Sequence, residues 1–264
     1  MKPAISFIFV NFQSADLLGQ SLVSLRSVAD SQILAEYIII NNDPTERTLL
    51  DGMAQSFPTL RIVHQERNLG FGGANNVGSR LATGEVLFFI NPDTQLRRAN
   101  FQGLMRAFEF RPRAFYGMAL VQASGIRERW SAGQFPNLWR ILFANMLPAL
   151  LSQPWQATAI SKVDWVSGAA FAIRRDFFLS LGGFDSSYFL YFEDVDLARR
   201  ATDGGAWVGM YPFIIFQHAG GRSHKSIGAK KQAYYAGQRH YFKKWRPRHE
   251  QFLLAVAHKC FRIS

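Results

Sequence analysis

The 264-residue chain has one cysteine, Cys260, so no internal disulfide framework can staple it, and a reducing compartment suits it. It lacks any run of about 18 apolar residues free of charge, so no membrane-spanning helix is expected. It also lacks the length and cleavage-site pattern of a secretory leader, opening directly on the strand-like Ile5–Val10. A cytoplasmic protein is the expectation. Acids are scarce at one end only. Residues 222–264 carry eleven Lys/Arg against a single acid, Glu250, and so hold +10 of the formal +11. That asymmetry points to an anionic partner: a membrane surface, a phosphate-bearing substrate or nucleic acid. With 48% hydrophobic residues, the chain can bury a full core.

What is present begins with Val86–Ile90, consecutive apolar residues that read as a strand buried on both faces. Asn91-Pro92-Asp93 ends it, because proline cannot donate to a ladder. A carboxylate is thereby left at the carboxyl end of a central strand, where open α/β sheets hold ligands. Alone, the tripeptide is equally good turn chemistry. Upstream, the chain alternates. After Ile5–Val10 comes a helix with Leu18, Leu22, Leu25 and Val28 at helical spacing, then a strand at Tyr37–Ile40 ending in Asn41-Asn42-Asp43-Pro44. A helix over 48–57, a strand at Leu60–His64 and a helix to about Leu81 follow. This predicts an α/β fold, a mainly parallel Rossmann-like sheet flanked by helices. Another helix is predicted over 100–109. From about 112 to 162 the pattern breaks, and the apolar stretch 138–151 reads as a buried helix pair, with a membrane-interface segment as the lesser alternative.

The loop Asn68-Leu69-Gly70-Phe71-Gly72 has Asn75 where a dinucleotide fingerprint needs its third glycine, so a dehydrogenase is disfavoured. The amides of Asn75 and Asn76 suit a sugar or phosphate near a helix N-terminus, or simply cap that helix. Gly168-Ala169-Ala170 are small enough to let something approach a strand closely. Glu193, Asp194 and Asp196 crowd three carboxylates into four residues behind a run of aromatics, which is costly unless they are solvated, paired or used in chemistry. A helix dipole would also stabilise them. His218 closes the apolar run Phe213–Gln217, far enough after Asp194 for a helix and a returning strand to bring it back beside Asp93. Imidazole and carboxylate suit Mn²⁺ and are acceptable to Mg²⁺.

Taken in order, Asn68-Leu69-Gly70-Phe71-Gly72, Asn91-Pro92-Asp93, Gly182-Gly183-Phe184-Asp185 leading to Phe192-Glu193-Asp194-Val195-Asp196-Leu197, and His218 resemble the family 2 glycosyltransferases of the GT-A fold. The likeness is to the bacterial rhamnosyltransferase-like branch and covers about Ile5 to Ser223. It implies inverting transfer of a sugar, rhamnose in that branch, from a dTDP- or UDP-linked donor. The implied acceptor is a glycan or polyprenyl-diphosphate-linked glycan of cell-surface polysaccharide synthesis. By the same likeness Asp194 is the catalytic base, and Asp93 and His218 bind a divalent metal, Mn²⁺ or Mg²⁺. Asn91 stands where the family usually has the first acid of Asp-x-Asp. Asn11, Asn41, Asn68, Gly70, Asn75 and Asn91 would surround the donor, with Gly168, Glu193 and Asp196 towards the acceptor; the alternatives for Glu193 and Asp196 are a pairing of one of them with Arg199 or Arg200, and for Asp196 a helix cap. Asn41 departs from a common Asp that contacts the nucleoside. The chemistry fits independently, since displacement at an anomeric carbon needs a base for the hydroxyl proton and a cation for the departing diphosphate.

The expected division is a donor-binding half at 1–115, an acceptor-binding and catalytic half of the same domain at 116–225, and a basic helical tail at 226–264. Tyr234, Tyr235, Tyr241, Phe242 and Trp245 interleave with the tail's bases, which would also suit single-stranded nucleic acid. Their near-helical spacing favours a packed helix instead, and no nucleic-acid partner is expected. The tail is expected either to hold the protein at the inner face of the cytoplasmic membrane or to pack on the body as a helix pair with its charges solvated, and both can hold on opposite faces of one helix. A nucleotidyltransferase is the other enzyme class the motifs allow.

Overall fold

The computed structural model describes residues 2–57, 59–141, 153–219 and 227–260. The helix pair expected over 138–151 therefore lies mostly outside the described residues.

The first half alternates as expected. β1 (Ile5–Asn11), α1 (Ala15–Gln32), β2 (Ala35–Asn41), α2 (Arg47–Ser56), β3 (Leu60–His64), α3 (Gly70–Leu81) and β4 (Val86–Ile90) build a parallel set ordered β3-β2-β1-β4. All five β4 side chains are buried, as a strand covered on both faces requires. Phe88 and Ile90 join one core with Phe7, Phe9 and Phe101, while Leu87 and Phe89 face the other with Ile8, Phe171 and Phe184.

Beyond β4 the sheet is mixed rather than mainly parallel. β5 (Thr94–Arg98), α4 (Phe101–Phe110) and β6 (Ala114–Val121) come next. The short β7 (Ala132–Gly133), β8 (Ser161–Lys162) and β9 (Trp165–Val166) lead to β10 (Ala170–Arg174). β10 runs antiparallel between β4 and β6. α5 (Arg175–Ser180) and α6 (Glu193–Asp203) precede β11 (Trp207–His218), which is parallel to β6 and antiparallel to β5. The division expected at 115/116 falls inside β6, and strands from both sides of it share one sheet. The apolar run Phe213–Gln217 and the residues from Trp207 before it are one strand. Its register shifts between Tyr211 and Ile215, around Pro212, which has no N–H for the ladder.

α7 (Ile227–Trp245) and α8 (Arg248–Cys260) close the chain. A third apolar cluster of Leu138, Tyr188, Phe192, Val195, Tyr241, Phe242 and Leu254 fastens them to the body. Tyr241 and Phe242 are buried there, unavailable as a stacking platform for bases.

Candidate active site

The carboxyl ends of β1, β2 and β4 converge on one side of the sheet, and β11 delivers His218 to the same place. The β5–β11 pairing sets His218 opposite Thr94, and the Ala219 N–H donates to the Asp93 carbonyl at 2.9 Å. The Asn91-Pro92-Asp93 turn is closed by Thr94, whose hydroxyl donates to the Asn91 carbonyl at 2.8 Å. Asp93 Oδ1 consequently lies 3.2 Å from His218 Nε2. The ring's Nδ1 meets Glu128 Oε2 at 2.8 Å. Burial opposes charge on this imidazole, but hydrogen bonds to Asp93 and Glu128, reinforced by their charges, raise its pKa to about 10.

The sequence carried no motif around Glu128. It arrives because the Glu128 N–H donates to the Leu120 carbonyl at 2.9 Å, folding the loop after β6 back over the strand end.

Two cavities meet at the Asp93–His218 pair, which lines both. One, of about 450 Å³, also touches Glu128, Gln20 and Gln217. The other, of about 230 Å³, is walled by Asn42, Asn68, Gly70, Phe71, Asn91 and Tyr191 among others. Asn42 was not singled out in the sequence. Its Nδ2 donates to Asn68 Oδ1 at 3.2 Å and to the Gly70 carbonyl at 3.1 Å, bracing the loop into α3. Gly70 has φ +74°, and a Cβ there would stand 2.4 Å from the Phe189 carbonyl, so only glycine fits this approach.

Three expected donor contacts face the fold instead. Asn11 and Asn41 are fully buried. Asn11 Nδ2 donates to Asn41 Oδ1 at 3.0 Å and to Glu46 Oε2 at 2.8 Å, while Asn41 Nδ2 donates to the Asp43 carbonyl at 2.8 Å. Glu46 also accepts the Ser14 and Ala15 amides, capping α1. This network locks the ends of β1 and β2 together. Asn75 is buried on α3 and donates to the Phe71 carbonyl at 3.1 Å. Its neighbour Asn76 is likewise occupied, accepting from Phe184 N and donating to Phe184 O, each at 2.8 Å.

The acidic run opens α6. Tyr191 and Phe192 both have left-handed backbones, φ 70° and 71°, uncommon for non-glycine residues and concentrated at functional sites. They turn the chain so that Asp194 lies at the helix start beside Gly168. Asp194 Oδ2 accepts the Gly168 N–H at 2.8 Å and Oδ1 accepts the Val195 N–H at 2.8 Å. Burial raises the Asp194 pKa, and these two amides oppose the rise. Phe71, on the wall of the smaller cavity, comes within 3.1 Å of where a Gly168 Cβ would stand. Glu193 is 4% exposed, and burial first, then the Asp194 charge, hold its carboxyl well above the usual range. Its Oε2 meets no hydrogen-bond partner among the described residues.

Asp196, expected towards the acceptor, is fully buried and structural. Arg200 Nε, Trp245 Nε1 and Lys244 Nζ reach its oxygens at 2.8, 2.7 and 2.7 Å. It pins α7 to α6 and has no surface left for a substrate.

The family model for glycosyl transferase family 2 matches residues 6–178, spanning β1 through most of α5. The chain belongs to glycosyl transferase family 2. The N-acetylglucosaminyl-diphospho-decaprenol L-rhamnosyltransferase of Mycobacterium tuberculosis is 28% identical over 231 residues, covering 80% of this chain and 74% of that protein. The rhamnosyltransferase WbbL of Escherichia coli is 26% identical over 233 residues, covering 83% and 86%. Among solved structures, GalNAc-T7 with UDP, GalNAc and Mn²⁺ superposes with a TM-score of 0.66 at 16% identity, over 89% of this glycosyltransferase and 47% of that chain. The mannosyltransferase PcManGT of Pyrobaculum calidifontis with GDP-Man and Mn²⁺ gives 0.62 at 17% identity, over 92% and 64%. At such identities these two neighbours establish a shared GT-A-like fold.

Among the described residues no group of three or more His, Cys, Asp or Glu side chains is assembled to hold a metal ion. The donor set nevertheless fits a cation completed by substrate. Asp93 offers a hard oxygen and His218 Nε2 a borderline nitrogen, both at a cavity wall, and diphosphate oxygens ordinarily supply the remaining ligands.

Proposed function

We propose that this glycosyltransferase moves a sugar, rhamnose by analogy with its relatives, from a dTDP- or UDP-linked donor onto a polyprenyl-diphosphate-linked glycan, with inversion at the anomeric carbon. The observation that carries this reading is the linkage of two chemistries through Gly168. Asp93, His218 and Phe71 line one cavity, and Gly168, whose Cβ position Phe71 approaches, donates its N–H to Asp194 at the start of α6.

Asp194 takes the acceptor hydroxyl's proton. Its two amide contacts fix the carboxylate, and its raised pKa makes it a better base than a solvated aspartate. Burial and the Asp194 charge raise the Glu193 pKa, which disfavours a second negative charge beside the base. Asp93 and His218 would hold Mn²⁺ or Mg²⁺ against the donor diphosphate, and Glu128 would keep the His218 ring turned. A bound divalent cation stabilises the charge that develops on the departing diphosphate. Asn42, Asn68, Gly70 and Asn91, which line the smaller cavity, would meet the donor. The lipid-linked acceptor would bring the enzyme to the inner face of the cytoplasmic membrane.

A panel of dTDP-, UDP- and GDP-sugars, with a polyprenyl-diphosphate-linked N-acetylglucosamine acceptor and Mn²⁺, Mg²⁺ or chelator, tests this. The expected result is nucleoside diphosphate release that depends on acceptor and cation, with a product of inverted anomeric configuration by NMR. Release of pyrophosphate would establish a nucleotidyltransferase instead.

A further inference from the structure

We propose that the outer face of α8 docks on an anionic lipid surface, with its apolar side chains among the headgroups and its bases against their charges. The surface is argued from its own geometry and deepens the reading of a lipid-linked acceptor.

α8 has two different faces. Glu250, Leu254 and His258 recur every fourth residue and are buried. Glu250 Oε2 accepts the Leu138 N–H at 2.9 Å, and His258 Nε2 meets Gln238 Oε1 of α7 at 2.8 Å. On the opposite side Phe252, Leu253 and Val256 are 68%, 46% and 42% exposed. Exposed Arg248 and His249 stand at one end of this patch and exposed Lys259 at the other. Scattered apolar residues are ordinary on a surface, but three large ones on one helix face, flanked by bases, are the pattern of an interfacial helix.

The charge selects the occupant. Glu250, the one acid in residues 222–264, is turned inward and paired with Arg246, so it offsets nothing outside. α7 adds exposed Lys231, Arg239 and Lys243. A second copy meeting this face would set bases against bases, whereas anionic headgroups neutralise them. No helix among the described residues is long and apolar enough to cross a membrane, so attachment here would be interfacial. α7 joins this face to the catalytic region. A Cβ on Gly237 would stand 2.4 Å from the Tyr191 carbonyl, and the Tyr234 ring lies 5.2 Å from Phe192. Tyr235, on the same helix, meets His258 of α8 at 4.9 Å between ring centroids.

Flotation of the full-length enzyme with phosphatidylglycerol-containing vesicles, against pure phosphatidylcholine vesicles, tests the proposal. The enzyme should rise with the anionic vesicles at low salt and stay down with the neutral ones. Each base near such a surface strengthens partition about fivefold, so Arg248→Gln with Lys259→Gln should weaken it about 25-fold. Phe252→Ser with Leu253→Ser should weaken it roughly tenfold or more. These positions are exposed, so circular dichroism and nucleoside diphosphate release with a water-soluble acceptor should match wild type. That second readout separates loss of docking from failure of the transferase reading. Equal flotation with both lipids, flotation with neither, or wild-type flotation by both double variants would overturn the proposal. So would a dimer in sedimentation that Phe252→Ser dissolves while flotation persists, which would give the face to a second copy.

Discussion

The Gly168 amide donates to Asp194 Oδ2 at 2.8 Å, tying the segment before β10 to the first turn of α6. With Val195 N–H on the other oxygen, the carboxylate is held at a fixed orientation at the start of α6. Asp194→Asn preserves its shape and removes the base, so turnover should fall roughly 10²–10⁴-fold. Donor affinity by calorimetry should stay near wild type, because the diphosphate is met elsewhere. Burial raises the Asp194 pKa, and a base works ionised, so kcat/KM should rise with pH through a limb above the usual carboxylate range. A limb inside that range, or donor affinity lost together with turnover, would remove Asp194 from this role.

Glu193 should behave oppositely to a working base. Its folded pKa is raised, so its contribution to stability is full below the unfolded carboxyl's pKa and is lost as pH rises through the folded one. Glu193→Gln stays neutral throughout. Ionising the buried carboxyl at high pH costs stability that the amide does not lose, and each kcal/mol shifts Tm by about 2–4 °C in a chain of this size. The variant should therefore melt higher than wild type at pH 9 and alike at pH 4. Equal melting at pH 9 contradicts the raised carboxyl pKa. A loss of turnover matching Asp194→Asn would exchange the two roles.

Asp93→Ala should abolish cation-dependent turnover with the fold intact, since the residue sits on a turn and its loss opens no core cavity. Glu128→Gln is the subtler probe. It keeps the shape that touches His218 but weakens the hold on the ring, as partners behind metal-binding histidines do. Titration of Mn²⁺ in the presence of nucleoside diphosphate should show affinity lowered about 10–100-fold, with kcat recovering at saturating cation. An unchanged Mn²⁺ affinity would leave Glu128 a bystander.

The sequence was most legible where period and burial agree. Val86–Ile90 and the alternation before it read correctly because parallel strands covered on both faces are continuous apolar runs. β6 was missed because Ala114, Gly117 and Ala119 carry little strand propensity. Gly117 is there for packing: a Cβ would stand 2.4 Å from Val166. β5, Thr94–Arg98, is polar and short, yet its pairing with β11 is what brings His218 to Asp93. Glu128 had no local signal, because its place depends on a loop folding back on Leu120. The asparagines misled for a different reason. An amide at a strand end can face a ligand or lock two strands together, and the sequence of Asn11 and Asn41 looks the same in both cases.

Asp196 offers the sharpest separation of fold from chemistry. Its carboxylate has no exposed surface, and it gathers Arg200, Lys244 and the Trp245 indole from two helices. Removing one partner of a buried pair costs about 3–5 kcal/mol. Here the lower figure is expected, because the Arg200 and Lys244 side chains retain 20% and 30% exposure and can rehydrate. The Trp245 N–H would lose its acceptor as well. Asp196→Ala should therefore lower the denaturation midpoint strongly and loosen α7, raising amide hydrogen exchange around Tyr241 and Phe242. Turnover per folded molecule at low temperature should stay within a few-fold of wild type, with the acceptor KM unchanged. A stable Asp196→Ala enzyme with a much raised acceptor KM would return this residue to the acceptor site.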